Sequence, residues 1–353
     1  MGNKGLVVLL ISALFLLTLS TCQRIAKKIW VKGWQVSSPL LEPRSGAGAA
    51  ESGHRLYVAG GASIENGFLD SVEWSRIRSD GQLEAWQQGP PLTEPRGFLA
   101  LVAANGYLYA IGGANGKNGI HLLNSVERAR IHEDGRLGPW APVSGMTTPR
   151  RGPAALVSNG YLYAIGGYNG IFLRNLERAQ LLPNGDLGRW EVVNSLLTTD
   201  RYIHGAALRG DHLYVVGGHI QGLGGGKGST EWTRIGPDGQ FEPWRLAPPL
   251  QFARFLAAVT AGEKHIFVLG GYNGQYMTSV EHAEIQADGA LGPWSSATPL
   301  NTPKEGCAAM WVDGVIYVMG GSRQGVYLRD VELAWVNQAG ELGYWASPSP
   351  PTP

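Results

Sequence analysis

The chain has 353 residues, a formal net charge of +1 and only 16% charged residues, while glycine reaches 51 and tryptophan 12. Because no block of like charge occurs beyond the N-terminal segment, the sequence carries no electrostatic footprint for nucleic acid. The two cysteines, Cys22 and Cys307, exclude a disulfide framework. The composition suits short strands, tight turns and a core rich in aromatic rings.

The N-terminal segment resembles an export signal. Lys4 precedes an apolar run over residues 6–19, and small residues follow, as in a signal peptide. Residues 19–22 also resemble a bacterial lipobox, in which Cys22 would become the lipidated first residue, although Thr21 stands where that motif prefers Gly or Ala. The basic residues after the run favour a third alternative, an uncleaved membrane anchor, which could leave the rest of the chain cytoplasmic. We expect an extracytoplasmic protein, in the cell envelope or secreted, with a membrane tether through its N-terminus.

A unit of about fifty residues then recurs six times. Each copy contains a Gly-Gly pair, a Glu eleven to fifteen residues later, and then a Trp. Such self-similarity marks a repeat architecture, in which one unit cannot bury its apolar face without its neighbours. The Gly pairs begin at Gly60, Gly112, Gly166, Gly217, Gly270 and Gly320, and the tryptophans that keep step with them are Trp86, Trp140, Trp190, Trp244, Trp294 and Trp345.

The second copy shows how one repeat predicts four antiparallel strands. Apolar residues 97–103 predict an innermost strand, and Asn105 with the following glycine favours a two-residue turn into a second strand over 107–113. Residues 125–131 alternate in polarity and predict a third strand. After a further turn, residues 136–140 predict an outer edge strand, where a proline is tolerated.

Four strands repeated six times predict an all-β fold, a six-bladed β-propeller with four antiparallel strands per blade. Trp34 begins a partial copy that has no preceding strands, so we expect the N-terminus to help close the ring. The sequence leaves open whether this copy replaces or flanks the strand at Trp345. The predicted organisation is a signal or anchor over residues 1–22, a linker over 23–33, the propeller over 34–346 and a Pro-rich tail over 347–353.

The Gly-Gly, Glu and Trp of the six copies resemble the kelch-repeat family over about nine-tenths of the chain. The resemblance implies a kelch-type propeller, and such propellers are mostly binding modules, with a minority of enzymes such as copper radical oxidases and sialic acid epimerases. The residues that a copper radical oxidase needs could be assigned here only by arbitrary choice. The resemblance therefore implies a non-catalytic module for a protein or glycan partner, with a carbohydrate-active propeller of the sialic acid epimerase kind as the alternative.

One basic and one acidic residue also recur in every copy. Strict repetition favours structural ion pairs, and the alternative is a ring of guanidinium groups that holds an anion at the channel mouth. The basic residues are Arg44, Arg96, Arg150, Arg201, Arg254 and Lys304, and the acidic residues are Glu73, Glu127, Glu177, Glu231, Glu281 and Glu332.

Binding residues are expected on one face of the ring. Strand parity puts the long loops between second and third strands, and the connections between blades, on the same face, and leaves only tight turns on the other. Exposed aromatic and Arg side chains favour recognition of a partner or a sugar. On these loops the candidates are Phe68, His121, Phe172, Arg174, His219, Tyr272, Tyr276, Arg323 and Tyr327.

The sequence predicts no catalytic residue, metal site or cofactor. The eight histidines lack metal-ligand spacing, and no paired-Cys motif occurs. Cys307 lies among alanines on a predicted inner strand, where a cysteine is usually a small buried apolar residue. We expect a monomer that binds a protein or carbohydrate and no nucleic acid.

Overall fold

The computed structural model describes residues 28–220 and 223–346, which are almost entirely β-strand and turn. The helical element among these residues is one short 3-10 helix, Lys117–Gly119. The described residues contain no helix that is long and apolar enough to cross a membrane. The chain forms two compact units. The larger unit spans residues 32–343, and the described residues of the smaller one are 28–31 and 344–346. The predicted export signal at 1–22 and the tail at 347–353 lie outside the described residues.

The larger unit confirms the six-bladed propeller. Blades one to five are four-stranded antiparallel sheets, and the innermost strands of successive blades contact one another around a closed circle. Radial closure leaves no long unpaired sheet edge at the axis. The strands are Gly48–Glu51, Arg55–Ala59, Val72–Arg76 and Gln87–Gln88 in blade one; Ala100–Ala104, Tyr107–Ile111, Val126–Arg130 and Ala141–Val143 in blade two; Ala154–Ser158, Tyr161–Ile165, Leu173–Gln180 and Glu191–Arg201 in blade three; Gly205–Arg209, His212–Val216, Thr230–Arg234 and Arg245–Ala247 in blade four; and Ala258–Ala261, His265–Leu269, Val280–Glu284 and Ser295–Ala297 in blade five.

Blade six is completed by the N-terminal part of the propeller. Its first three strands are Ala308–Val312, Val315–Met319 and Val331–Val336. Its fourth strand is Gln35–Ser37, in which Val36 lies opposite Glu332, just as Pro142 lies opposite Glu127 in blade two. Strand Leu342–Ala346 pairs with the same third strand only through Leu342 and Gly343. The partial copy at Trp34 therefore replaces the outer strand that would have followed Trp345.

The repeated tryptophans join each blade to the one before it. The indole Nε1 of Trp140, for example, donates to the carbonyl oxygen of Pro90 on the preceding blade at 3.1 Å. Trp34 donates in the same way to Thr298 of blade five at 3.0 Å, which shows that it occupies the sixth place in the ring. Trp34 is 6% exposed and Trp345 is 51% exposed. The remaining bonds of this kind run from Trp86 to Ser38, from Trp190 to Ser144, from Trp244 to the Ser195 hydroxyl and from Trp294 to Pro248.

Two strand boundaries in blade two differ from the prediction. The outer strand is Ala141–Val143 rather than 136–140, because Leu137 makes only an isolated bridge to Ile131 and Trp140 turns its ring inwards. The first strand begins at Ala100 rather than residue 97, because Phe98 has a left-handed φ of 54° that interrupts an extended chain.

The two ends of the propeller are unlike. One end, which we call the loop face, carries two-stranded hairpins that follow the Gly pairs. The other end, the turn face, carries tight turns such as the one at Asn105, whose φ of 50° suits a primed turn. The hairpins are Ala62–Ser63 with Gly67–Phe68, Ala114–Asn115 with His121–Leu122, His219–Ile220 with Leu223–Gly226, and Ser322–Arg323 with Val326–Tyr327.

We predict that Trp190→Ala lowers the free energy of unfolding by about 3–5 kcal/mol, the range for removing a large buried aromatic side chain. Trp190 is 2% exposed and donates its indole proton across the blade interface, so truncation removes both packing and a hydrogen bond. Chemical denaturation measures the change. Trp345→Ala is the matched control, and its exposed ring should contribute less than about 1 kcal/mol. Equal losses in the two variants would contradict the exchange of Trp345 for Trp34.

Candidate functional site

The repeated charges form six buried ion pairs. Arg96 Nη2 lies 2.6 Å from Glu127 Oε1, and both side chains are at most 1% exposed. In blade six the pair is Lys304 with Glu332, whose Nζ and Oε1 atoms are 2.9 Å apart. The other pairs are Arg44 with Glu73, Arg150 with Glu177, Arg201 with Glu231 and Arg254 with Glu281.

Each pair also satisfies backbone groups at the blade junction. Arg96 Nη1 donates to the carbonyl oxygen of Gly112, the first glycine of its own blade's pair. The Glu127 carboxylate accepts the backbone N–H of Thr93 at 2.7 Å. The next glycine, Gly113, donates its N–H to the carbonyl oxygen of Arg150 in the following blade. The repeated Arg, Glu and Gly-Gly are thus parts of one structural unit, and we call it the Arg-Glu node.

The structural interpretation of these charges is therefore confirmed, and the alternative of an anion-binding ring is wrong. Burial lowers the pKa of Arg96 and of Arg150, but a guanidinium remains charged, and Glu127 and Glu177 neutralise it. Burial alone would raise the pKa of Glu177, yet hydrogen bonds from Thr147 and Arg150 lower it overall. No repeated guanidinium group is free for a ligand.

The residues that differ from blade to blade lie directly beside the Arg-Glu nodes. The residue after each basic residue forms a β-bridge with the residue after each Gly pair, so two variable side chains per blade surround the mouth on the loop face. In blades six, one and two these pairs are small or acidic, and in blades three to five they are aromatic or basic. In order from blade one, the pairs are Ser45 with Ala62, Gly97 with Ala114, Arg151 with Tyr168, Tyr202 with His219, Phe255 with Tyr272, and Glu305 with Ser322.

The large residues form a continuous aromatic arc over blades three to five. Phe172 lies 5.4 Å from Tyr202 and 5.6 Å from His219, measured between ring centroids. His219 continues to Phe255 at 4.7 Å, and Phe255 to Tyr272 at 5.5 Å. These are the separations of edge-to-face and tilted aromatic pairs, so the arc is a single packed surface. Its members are Tyr168, Phe172, Tyr202, His219, Phe255, Tyr272 and Tyr276.

Two ionisable groups border the arc. The Arg151 guanidinium lies 4.4 Å from the centre of the Phe98 ring and 5.9 Å from that of Tyr202, which places it at one end. Glu305 occupies the equivalent position three blades away, and burial raises the pKa of its carboxyl group. Burial also raises the pKa of Tyr202. The mouth therefore combines aromatic surface with one cation and one half-buried acid.

The structure brings together four of the nine residues that the sequence singled out: Phe172, His219, Tyr272 and Tyr276. The other five lie on the loop face but outside this run of ring contacts. Phe68 packs against Gly97 and Gly119, which have no room for a side chain beside its ring. Arg174 is exposed, and its Nε donates to the carbonyl oxygen of Leu197 at 2.8 Å. His121 is exposed on the hairpin of blade two. Arg323 is exposed and Tyr327 is half-buried, and both lie on the hairpin of blade six.

Sequence reasoning missed Tyr168, which directly follows a Gly pair, and three further residues, Arg151, Tyr202 and Phe255. Each of these three directly follows a repeated Arg and so resembled part of the scaffold. The signal that could have found them is the variation at this position, which reads Ser, Gly, Arg, Tyr, Phe and Glu in the six copies. A position that changes in every copy cannot serve the node, so it is free for binding.

A ring of backbone bonds forms the floor of the mouth. One residue further along, every copy has a left-handed φ, including Phe98 at 54°, Ile203 at 46° and Leu256 at 52°. The N–H of Phe98 donates to Gly46, and the N–H of Gly46 donates to Gly306, so these bonds link blade to blade. A β-branched residue such as Ile203 is strained in this conformation, and such strain persists only where the surroundings impose it. A ligand on the loop face would therefore rest on a rigid floor.

The tunnel below the floor is lined mainly by side chains without reactive groups. It is a cavity of about 430 Å³ lined by small and aliphatic residues of the innermost strands, with Glu51 and Trp311 at its far end. The described residues contain no cluster of three potential metal ligands. Cys307 is buried, and burial raises the pKa of its thiol to about 11, so it is not a thiolate nucleophile at neutral pH.

Comparison with known proteins agrees with this architecture. The model of the Kelch motif matches residues 149–178, which include both node residues of blade three, Arg150 and Glu177. The repeated units of the chain thus resemble the kelch repeat. Kelch-like protein 36 of Bos taurus is 25% identical to it over 246 residues, 68% of this chain and 38% of that protein. Kelch-like protein 33 of Homo sapiens is 34% identical over 130 residues, 36% of this chain and 22% of that protein.

The chain spans less than two-fifths of the length of the curated relatives it matches. Beta-scruin of Limulus polyphemus is 27% identical over 38% of this chain and 15% of its own length. A solved structure titled "Structure of YjhT" superposes with a TM-score of 0.71 over 87% of this chain and 98% of that chain. The two sequences are 14% identical, so this likeness concerns the fold alone.

We predict that Glu127→Gln lowers the free energy of unfolding by about 3–5 kcal/mol, because it removes the buried anionic partner of Arg96 and leaves only the partly exposed Glu94, whose Oε1 lies 2.9 Å from Arg96 Nη2. Denaturant titration measures the loss. Glu191→Gln is the matched control, since this carboxylate lies 2.7 Å from Arg178 but is 58% exposed, and an exposed pair contributes less than about 1 kcal/mol. A small loss at Glu127, similar to that of the control, would mean that the node does not hold the blades together.

Proposed function

We propose that this kelch propeller is a non-catalytic binding module that holds a protein partner on its loop face. The observation that carries the proposal is the aromatic arc, a packed surface of seven rings at the mouth of a rigid scaffold. Tyrosine and arginine are among the residues that most often dominate protein interfaces, and a tyrosine buries a large area with only two side-chain torsion angles. None of these rings belongs to an Arg-Glu node, so the rings are not needed to hold the blades together.

Exposed aliphatic side chains at the hairpin tips support the same proposal. Ile64, Ile120, Ile171 and Val326 are 67%, 67%, 60% and 54% exposed, and they stand on four different blades. Apolar side chains placed around a concave mouth fit the rim of a protein contact, since each would lose contact with water when a partner docks. The exposed Arg174 and Arg323 on the same loops would add polar contacts at the edge of such an interface.

A glycan is the second candidate ligand, favoured by the combination of flat rings with Arg151 and Glu305. Sugar rings present C–H groups that pack on aromatic faces, and their hydroxyl groups pair with charged side chains. The carbohydrate-active alternative would need its catalytic groups among these variable residues, since the repeated Arg and Glu residues are engaged in the nodes. Arg151 and Glu305 are therefore the residues to alter when such an activity is assayed.

We predict that Tyr272→Ala combined with Tyr276→Ala reduces partner capture at least tenfold, because the pair forms one end of the arc with centroids 5.2 Å apart. Both side chains are partly exposed, so the free energy of unfolding should change by less than about 1 kcal/mol. The measurement is affinity capture with the tagged full-length chain, followed by quantitative mass spectrometry, beside a glycan array.

The matched control for this experiment is Glu133→Ala with Arg136→Ala, two exposed residues on the turn face. Capture of the same protein by the wild type and the control, but not by the tyrosine variant, supports the protein-binding function. Glycan binding with the same dependence, and no captured protein, would move the function to carbohydrate. Loss of capture in the control alone would put the site on the turn face.

We also propose that the module lies outside the cytoplasm and is tethered to a membrane through the lipidated Cys22. The support is the sequence of residues 4–22, a lysine, an apolar run and a terminal Cys. This part of the proposal is independent of the partner, because it concerns residues outside the described structure.

We predict that Cys22→Ser abolishes labelling by a radioactive fatty acid and leaves the precursor unprocessed. A C-terminal tag reports the change by membrane fractionation and intact mass. Cys307→Ser is the control, because that thiol is buried in the propeller and should leave labelling unchanged. Mature protein that begins at another residue and carries no lipid would indicate an ordinary signal peptide instead.

A further inference from the structure

Blade six is bordered by a cavity on each side at the turn face. The cavity towards blade one measures about 420 Å³ and lies beside Val315, which is shorter than its counterparts in the other five blades. The cavity towards blade five measures about 450 Å³, and two departures from the repeat surround it. The second cavity is the better candidate for a binding site, because side chains of both blades are directed into that junction.

The cavity between blades five and six lies at the opposite end of the propeller from the aromatic arc. Blade five contributes the turn at Gly262 and two residues of its second strand, His265 and Phe267. Blade six contributes Trp311 from its innermost strand and Val336 from the end of its third strand. The volume is in the usual range for small-molecule sites, roughly 300–1,000 Å³.

The first departure from the repeat is Phe267. In the other five blades the equivalent residue is a buried tyrosine, and its hydroxyl group donates to the carbonyl oxygen of a turn glycine on the next blade. Phe267 has no hydroxyl group to offer to Gly340, the equivalent glycine of blade six. This junction therefore lacks a bond that closes the other five, which run from Tyr57 to Gly135, Tyr109 to Gly185, Tyr163 to Gly239, Tyr214 to Gly289 and Tyr317 to Gly81.

The second departure is Trp311, a half-buried indole on the innermost strand. Each innermost strand has one residue opposite the second residue of the second strand, and in blade six this residue is Trp311. The other blades have an acidic, small or aliphatic residue there, so the indole is an addition that the fold does not require. The five counterparts are Glu51, Ala103, Val157, Leu208 and Ala261.

Side chains from both blades point into this junction. Phe267 and Trp311 belong to one packed cluster that spans blades five and six. A Cβ atom added to Gly262 would lie 3.3 Å from Phe267 Cε2 and 3.4 Å from Trp311 Nε1, so both rings reach this turn. His265 packs its ring on Gly340 of blade six. Phe267 is fully buried and forms the floor, whereas Trp311 is half-buried and offers part of its ring to a ligand.

The polar groups of the cavity carry no excess of one charge. Burial lowers the pKa of His265, so its imidazole is neutral at neutral pH and has one donor and one acceptor. Glu263 and Lys264 have opposite charges and are exposed at the rim. Asp313 Oδ2 lies 3.2 Å from Nδ1 of His54 on blade one. The lining therefore suits an uncharged ligand that exchanges hydrogen bonds better than it suits an ion.

We propose that this cavity binds an uncharged, flat heteroaromatic ring, whose face packs on Trp311 and whose hydrogen-bonding edge meets His265. The cavity lies between two blades that pack face to face as sheets, so it is a narrow space that admits a flat ring more readily than a puckered one. Aromatic rings attract one another in offset and edge-to-face arrangements, and the indole N–H of Trp311 adds a donor.

The test uses the full-length chain, with affinities measured by ligand-observed NMR and calorimetry. The flat uncharged probes are adenine, uracil and indazole. Their counterparts are benzoate, which is flat but charged, and methyl glucoside, which is uncharged but puckered. We expect at least one flat uncharged probe to bind about tenfold more tightly than either counterpart, because only such a probe fits both the narrow space and its neutral polar groups.

Trp311→Ala removes the stacking surface and should weaken binding of that probe about tenfold. Because Ala103 and Ala261 occupy the same position in blades two and five, the variant should still unfold cooperatively near the melting temperature of the wild type. Trp311→Phe keeps a ring and should retain most of the affinity. Equal losses in the two variants would contradict the stacking role of the indole.

His265→Phe keeps an aromatic ring on Gly340 but removes the polar edge, and it should weaken binding about tenfold, the loss expected for a hydrogen bond. His212→Phe is the matched control, because His212 packs in the same way on Gly289 at the junction of blades four and five. Tyr272→Ala with Tyr276→Ala alters the aromatic arc and should leave the affinity unchanged.

Four outcomes would overturn the proposal. They are no binding of any flat uncharged probe, binding of benzoate or methyl glucoside that is as tight as that of the best flat probe, unchanged affinity in both Trp311→Ala and His265→Phe, and loss of binding in the tyrosine variant. The last outcome would place the ring on the aromatic arc instead.

Discussion

The propeller depends on the Arg-Glu node more than on any other interaction. A guanidinium group such as that of Arg96 is buried only because Glu127 neutralises it and the Gly112 carbonyl group accepts one of its protons. An unpaired buried charge would cost several kcal/mol, so each node fixes the position of the blade that supplies it. Adjacent glycines then carry the connection to the next blade through the N–H of Gly113 and the carbonyl oxygen of Arg150. Repetition of this unit leaves the neighbouring positions free to vary.

Closure of the ring imposes a second constraint. Six equivalent tryptophan sites exist, and the chain supplies seven tryptophans with the right spacing, from Trp34 to Trp345. Trp34 fills the last site and bonds to Thr298 of blade five. A strand from the start of the propeller thus completes its last blade, which joins the two ends of the unit without a long-range covalent link. Opening the ring would expose the indole of Trp34 and break the pairing of Val36 with Glu332.

The surfaces suited to binding lie where single blades depart from the repeat. On the loop face, Arg151, Tyr202 and Phe255 stand where the other blades have small or acidic residues, and Tyr202 and Phe255 help extend the arc across three blades. On the turn face, Val315 replaces a long side chain and leaves a cavity between blades six and one. The two regions differ in character, because the arc is a broad aromatic surface and the cavity is a small pocket. Both depend on the nodes, which keep neighbouring blades in register while these positions change.

The sequence by itself determined the number of blades, the order of the strands and the pairing of one acid with one base per copy, because these features repeat at a fixed period and depend on local contacts. It also indicated the loop face, and four of its nine candidate residues, including Phe172 and His219, lie together in the arc. Only the tertiary structure decided that Trp34 rather than Trp345 completes blade six, since two similar segments compete for a site that exists only after closure. It also decided which side chains meet across blades, because Tyr202 and Phe255 are about fifty residues apart and touch a common neighbour, His219, only when the blades pack radially. A cavity such as the one at Val315 arises from the same packing, where a side chain of one blade is too short to reach the next.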